Sequence, residues 1–258
     1  MTEHIRVTVE DRVMRIAFNR PEKKNAITNA MYVAMGEALT RAESDPQIRA
    51  VLFEAEGDAF TAGNDLADFA AVAAGKMARS EMKAHVFLEA LARGQKPYVA
   101  AVQGFAVGVG VTMLMHCDLV YIADDAKLTT PFVNLALVPE AASSWLIPAR
   151  IGHARAFAMF ALGEPVDGRT AASIGIANAS LPVSEVRAKA WAAAQALASR
   201  PLGAVQATKK LMRDAAAISA VMSREGEIFG QRLQTAEAAE AFRAFAERRA
   251  PDFSKVSG

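Results

Sequence analysis

Residues 104–140 read GFAVGVGVTMLMHCDLVYIADDAKLTTPFVNLALVPE. The segment holds a glycine-punctuated turn, a short apolar helix, a hydrophobic strand, a loop, and a lone carboxylate after a proline. Gly108 and Gly110 let main chain approach a neighbour closely, and the helix that follows points its first N–H groups back at that spot. Such a place can hold an anionic oxygen. The rest of the chain is therefore read as scaffold and binding surface for it.

Strands alternate with helices on the N-terminal side. Ile5 to Val9 and Val13 to Phe18 are β-rich runs split by Glu10 and Asp11, an opening hairpin. Thr28 can cap a helix whose Met31, Ala34, Met35, Ala38, Leu39 and Ala42 recur at helical spacing. Ala50 to Ala55 reads as a buried strand, Gly57 to Asp65 as a loop with Asp65 available as an N-cap, Ser80 to Ala92 as a helix, and Tyr98 to Val102 as a strand. This is an α/β pattern, in which loops carry function. From His153 onward alanine-rich helices dominate: Ala154 to Leu162, Arg169 to Ile174, Ser184 to Ser199, Gly203 to Ala216, Ile218 to Leu233 and Ala236 to Arg248. Only Ala177 to Leu181 reads as a strand there, and a boundary is placed near Pro201, dividing 1–200 from 201–258.

The chain has 258 residues, 52% hydrophobic and 22% charged, enough for a sizeable core. A net charge of +1 favours neither nucleic acid nor an anionic membrane as partner. The single cysteine, Cys117, excludes an internal disulfide, and four scattered histidines give no metal-ligand spacing. The opening MTEHIRVTVEDR lacks a signal-peptide core, and the ending Lys255, Val256, Ser257, Gly258 is not a peroxisomal address. A cytoplasmic location is expected.

Several motifs occur in a fixed order: Arg20-Pro21-Glu22-Lys23-Lys24-Asn25-Ala26, Ala59-Phe60-Thr61-Ala62-Gly63-Asn64-Asp65-Leu66, Gly104 to Asp118, Ile151-Gly152, and Ala244 to Phe253. Together they resemble the crotonase (enoyl-CoA hydratase/isomerase) superfamily along almost the whole chain. GNDL at 63–66, VGVGVT at 107–112 and PEAASSWLIP at 139–148 look most like peroxisomal-type Δ3,Δ2-enoyl-CoA isomerases. The resemblance implies a spiral of ββα units, a C-terminal helical region used in trimers or hexamers, an acyl-CoA ligand, and no cofactor beyond the coenzyme A of the substrate.

The expected chemistry follows from the thioester. Its α-carbon becomes acidic only when the enolate oxygen is stabilised, and two main-chain N–H groups can do this. The resemblance puts these on Ala62 and Val109, the latter where most relatives carry glycine. It places the two hydratase glutamates at Thr112 and Phe132, neither able to do acid/base work near neutral pH. Glu140 remains, where the isomerases place their single base. Moving a double bond takes a proton from C2 and returns it at C4, so one carboxylate suffices. From the residues alone, Glu140 also reads as a helix N-terminal glutamate facing the dipole.

Further substrate contacts are implied at Lys23, Lys24, Asn64, Asp65, Leu66, Gly108 and Arg248, with Arg249 beside it. The lysines and arginines would meet coenzyme A phosphates, while taken alone each pair reads as a solvated face. Asp65 is expected to hold its loop. Phe132 and Trp145 either line an acyl pocket or pack. His116, Cys117 and Asp118 read as core, and Ser143, Ser144 and His153 lack the context of a nucleophilic serine. Three functions stay open: an enoyl-CoA isomerase, a hydratase using Glu140 with an ordered water, and a non-catalytic acyl-CoA-binding protein.

Overall fold

A computed structural model describes residues 2–73, 75 and 77–256, so Ser257 and Gly258 of the C-terminal ending lie outside the described residues. Six strands form one sheet, β1 (Ile5–Glu10), β2 (Val13–Phe18), β3 (Ala50–Ala55), β4 (Tyr98–Val102), β6 (Leu119–Ala123) and β9 (Ala179–Leu181), adjacent in that order. The opening hairpin is antiparallel and the remaining pairs are parallel. Parallel strands covered on both faces are apolar without alternation, and AVLFEA and YVAAV are buried at every position. Glu54 is tolerated inside β3 because Arg15 reaches it at 2.8 Å.

A smaller sheet joins β5 (Phe105–Val107), β7 (Lys127–Thr129) and β8 (Val166–Asp167). Successive strands therefore leave the large sheet and enter the small one, β4 into β5 and β6 into β7. After β3 the chain does the same, since Thr61 bridges Ala106 of β5. This is the expected spiral of ββα units.

Helix α1 (Asn29–Ser44) starts where the sequence says, with the Thr28 hydroxyl accepting the Met31 N–H at 3.4 Å. α2 (Leu66–Ala73) follows Asp65, whose carboxylate accepts the Ala67 N–H at 3.3 Å. The helix expected from Ser80 begins later, as α3 (Ala84–Arg93). Its approach is held by Asn29 of α1, which accepts the Lys83 N–H at 2.8 Å. The helix after the glycine turn, α4 (Val109–Thr112), is one turn long and passes into a 3-10 turn over Met113–His116.

Next come α5 (Ser143–Ile151), α6 (His153–Phe157) with a wide π-turn over Ala158–Leu162, α7 (Gly168–Ser173) and α8 (Val183–Ser199). α8 lies across β3, β4 and β6. Beyond Pro201 run α9 (Leu202–Met212), α10 (Ala215–Leu233) and α11 (Ala236–Ala246). The break between α9 and α10 is earlier than expected because Asp214 caps α10, accepting the Ala216 and Ala217 N–H groups at 2.9 and 3.0 Å. α10 packs on α2 and α3, so the C-terminal helices are continuous with the body of the molecule. Among the described residues no helix is long and apolar enough to cross a membrane.

Candidate active site

The segment following β3 is stitched alongside β5. The Thr61 N–H donates to Phe105 O, and the Val107 N–H to Thr61 O, both at 3.0 Å. The seam is tight enough to require glycine: a Cβ on Gly63 would sit 2.7 Å from Val107 O, and one on Gly110 2.5 Å from Thr61 Cγ2. Gly63 also has φ +85°, a conformation open to glycine at little cost. Gly108 stands at φ 55° and ψ −114°, and there the demand is conformational, since only Phe132 Cε1 comes as near as 4.0 Å to its missing Cβ.

This seam decides which N–H groups are available. The Ala62 N–H donates to Lys24 O at 2.8 Å. That corrects the expectation for Ala62, whose donor is already engaged inside the scaffold. The Gly63 N–H is taken by Thr61 Oγ1 at 3.0 Å. Asn64 differs. Its parallel bridge to Ile27 uses Gly63 O and the Asp65 N–H, at 2.8 and 2.9 Å, so Asn64's own N–H faces the other way. Among the described residues it meets no acceptor.

Val109 offers a second candidate donor. As the first residue of α4 it has no intrahelical acceptor, and among the described residues no other acceptor meets its N–H. Its isopropyl group is buried, 1% exposed, so the side chain is directed into the core. Two unengaged N–H groups thus sit on adjoining segments and make a candidate anion cradle.

Glu140 lies in the loop before α5. The Thr112 hydroxyl donates to its Oε1 at 2.5 Å. Burial pushes its carboxyl up to about 7, opposed by the Thr112 hydrogen bond and reinforced by the negative charge of Glu225. Tyr32 is buried nearby, where desolvation first and the Glu140 charge second raise its phenol well above the ordinary value, and its hydroxyl donates to Asn64 Oδ1. Glu140 is not the cap of α5. The Ala142 and Ser144 N–H groups are received by Glu225 of α10, at 2.6 and 2.9 Å. That disposes of the helix-terminal reading of Glu140.

Glu140, Asn64 and Tyr32 line a cavity of about 470 Å³ whose apolar wall includes Phe69, Leu88, Met222 and Phe229. Phe69 is itself held between Phe229 and Phe242, ring centroids 5.9 and 6.4 Å away. A larger cavity of about 780 Å³ involves α5, α8 and α9. Neither Asn64 nor Glu140 borders it, whereas both line the smaller cavity, which is therefore the candidate site.

Other expected contacts fall in varied places. Arg20 binds Asp65 at 2.9 Å and Ala26 O at 3.0 Å, so Asp65 ties two loops together. Leu66 opens α2 and is partly buried. Lys23 and Arg248 are exposed, Arg248 with φ 54°, and exposed Lys24 pairs with Asp58 at 2.7 Å. Phe132 packs on Phe160, centroids 6.1 Å apart, beside Gly108. Trp145 is 44% exposed. Neither ring is among the residues that line the Glu140 cavity.

Sequence reasoning missed Tyr32, Glu225 and the part played by His116. Its Nε2–H donates to Ala141 O at 2.8 Å, while Nδ1 accepts from Arg213. Asp118 turns elsewhere, receiving the Tyr98 N–H at 2.7 Å and Lys209 at 2.8 Å. The adjacency of His116 and Asp118 signalled no convergence, and the helical pattern around Glu225 did not distinguish it from Glu227.

The model of the Enoyl-CoA hydratase/isomerase family matches residues 8–256. The chain is 36% identical over 212 residues to Enoyl-CoA delta isomerase 2 of Rattus norvegicus, covering 81% of this chain and 54% of the rat protein. It therefore spans about half the length of that relative. A probable enoyl-CoA hydratase of Rhodobacter capsulatus is 30% identical over 252 residues, 97% of each chain. Among solved structures, an enoyl-CoA hydratase/isomerase from Pseudoalteromonas atlantica superposes with a TM-score of 0.91 at 40% identity, covering 97% of this chain and 100% of that one. Motifs, ββα spiral and whole-length matches agree, and the chain belongs to the enoyl-CoA hydratase/isomerase family.

Proposed function

We propose that the protein is a Δ3,Δ2-enoyl-CoA isomerase. The observation that carries this reading is the desolvated carboxylate of Glu140, at the edge of the cavity near a cradle of two N–H groups, with Thr112 and Phe132 at the other two positions where acid/base groups were sought. Glu89 and Glu227 also border the cavity, but both are exposed to solvent.

In this mechanism the thioester oxygen sits between the N–H groups of Asn64 and Val109. Ionised Glu140 removes a proton from C2, and negative charge moves onto the thioester oxygen, where the two donors stabilise it. The dienolate then takes the same proton at C4, the double bond settles between C2 and C3, and Glu140 is ionised again. No water enters the product. The apolar cavity takes the acyl chain, and Lys23, Lys24 and Arg248 approach the phosphates of coenzyme A. The tertiary sheet and loop contacts of Asp65 hold the cradle, and 201–258 would also serve trimer or hexamer formation, a role suited to Leu211 and Met212, 89% and 82% exposed on α9. Sedimentation of the purified chain tests the assembly: a monomer refutes it.

A hydratase reading keeps a place because a relative named as a probable hydratase matches end to end. Product analysis separates the two. With 3-enoyl-CoA the isomerase yields 2-enoyl-CoA, and accumulation of a 3-hydroxyacyl-CoA from 2-enoyl-CoA at a comparable rate would favour the hydratase. Binding of acyl-CoA without either conversion would leave a non-catalytic role.

The pH dependence has a definite sign. A base works when ionised, so kcat should rise with pH through about 7. Thr112→Val deletes a hydrogen bond to the ionised form, so the acidic limb should move to higher pH, and kcat measured from pH 6 to 9 reads the shift. An unmoved limb would remove Thr112 from the account.

A further inference from the structure

Two residues after Glu140 adopt conformations that alanine disfavours. Ala141 and Ala142 both lie in the left-handed region, with φ of 59° and 57°. Such backbone persists only where its surroundings over-determine it. Here the restraints come from distant parts of the chain. His116 holds the Ala141 carbonyl at 2.8 Å, and Glu225 receives the Ala142 N–H at 2.6 Å and the Ser144 N–H at 2.9 Å. Arg213 donates to His116 Nδ1, which leaves the imidazole hydrogen on Nε2, the nitrogen facing the carbonyl. Both side chains are buried, Glu225 at 6% and His116 at 0% exposure.

We infer that Glu225 and His116 are positioning residues that lock the left-handed pair and thereby set where the Glu140 carboxylate stands, making α10 a working part of the proton-transfer site. The inference rests on Glu140 being the base. Glu225 acts in a second way, because its buried negative charge disfavours ionisation of Glu140. The titratable and charged groups facing the same cavity are Tyr32, His85, Glu89, Arg93 and Glu227. Tyr32 stays protonated, and the other four are exposed, His85, Glu89 and Arg93 on α3 and Glu227 on α10.

Two substitutions of Glu225 separate geometry from charge. Glu225→Gln keeps size and one acceptor oxygen but loses the charge. Glu225→Asp keeps the charge and shortens the reach. Both are expected to lower kcat, with a misplacement of about 1 Å costing roughly 10²-fold, while KM changes by less than threefold. Only Glu225→Gln should move the acidic limb of kcat, and it should move to lower pH, because removing a like charge favours ionised Glu140. Should Glu225→Gln fail to fold, Glu225→Asp and His116→Gln carry the test: the first is expected to lose kcat with the limb in place, and the second to keep most of kcat because its amide can still donate to Ala141 O.

Unchanged kcat in the folded Glu225 variants, or a lower melting temperature with kcat and limb unmoved, would overturn the inference and reduce Glu225 to a helix cap. Failure of the underlying reading shows separately: if Glu140→Gln retains isomerase activity, Glu140 is not the base whatever the Glu225 variants do.

Discussion

Replacing Glu140 by glutamine is expected to lower isomerase kcat by about 10²- to 10⁴-fold, the range a positioned acid/base group contributes. The amide fits the same space and can still receive the Thr112 hydroxyl, so binding of a saturated acyl-CoA should be nearly unchanged. The same variant should be more stable than the parent above neutral pH. Burial raises the folded-state carboxyl from 4.5 to about 7, so ionisation disfavours the folded state. Stability is therefore lost as pH climbs from the unfolded value through about 7, and it is intact below both. Glutamine removes that loss, by on the order of 1–3 kcal/mol at pH 8 after allowing for partial access of water from the cavity. Thermal melts at pH 5 and pH 8 check it: a gain at pH 8 that shrinks at pH 5 is expected, and an equal change at both would assign the effect to packing.

The second large effect belongs to Gly63. A Cβ there meets Val107 O at 2.7 Å, and φ +85° strains any other residue. Val107 is main chain at the edge of the glycine turn, so relief must come by spreading the seam that sets Asn64 beside Val109. Gly63→Ala should therefore disturb the oxyanion cradle. Losing one donor costs about 2.7–4 kcal/mol of transition-state stabilisation, or 10²- to 10³-fold in kcat. Steady-state kinetics should show that loss mainly in kcat. A comparable loss confined to KM would mean that the seam shapes binding and leaves the enolate alone.

Much of this arrangement was legible in the sequence, for identifiable reasons. The buried runs AVLFEA and YVAAV, the Thr28 cap and the opening hairpin are local signals that the tertiary structure leaves in place. Glu140 stood out because it alone followed the glycine turn with a proline before it. Near Gly63 the resemblance points to the Ala62 N–H, whereas among the described residues the unengaged one is that of Asn64. Nothing local distinguishes Ala62 from Asn64, and the choice is made by Lys24 O and by the bridge to Ile27, both brought in from an earlier loop. Glu225 was illegible for a similar reason. Its partners, the Ala142 and Ser144 N–H groups, lie 83 and 81 residues earlier in the chain, and along α10 it is one glutamate among several polar residues. His116 reads as core because its neighbours in sequence diverge, although its ring reaches the loop that carries Glu140.

The most direct test follows label through the reaction. A 3-enoyl-CoA carrying deuterium at both C2 positions should give 2-enoyl-CoA with one deuterium retained at C2 and a measurable share of the other at C4, carried there by Glu140. The Glu140→Gln variant should show neither the transfer nor exchange at C2. Normal turnover with all C4 hydrogen drawn from solvent, or transfer that persists in Glu140→Gln, would contradict the assignment of Glu140 as the proton shuttle.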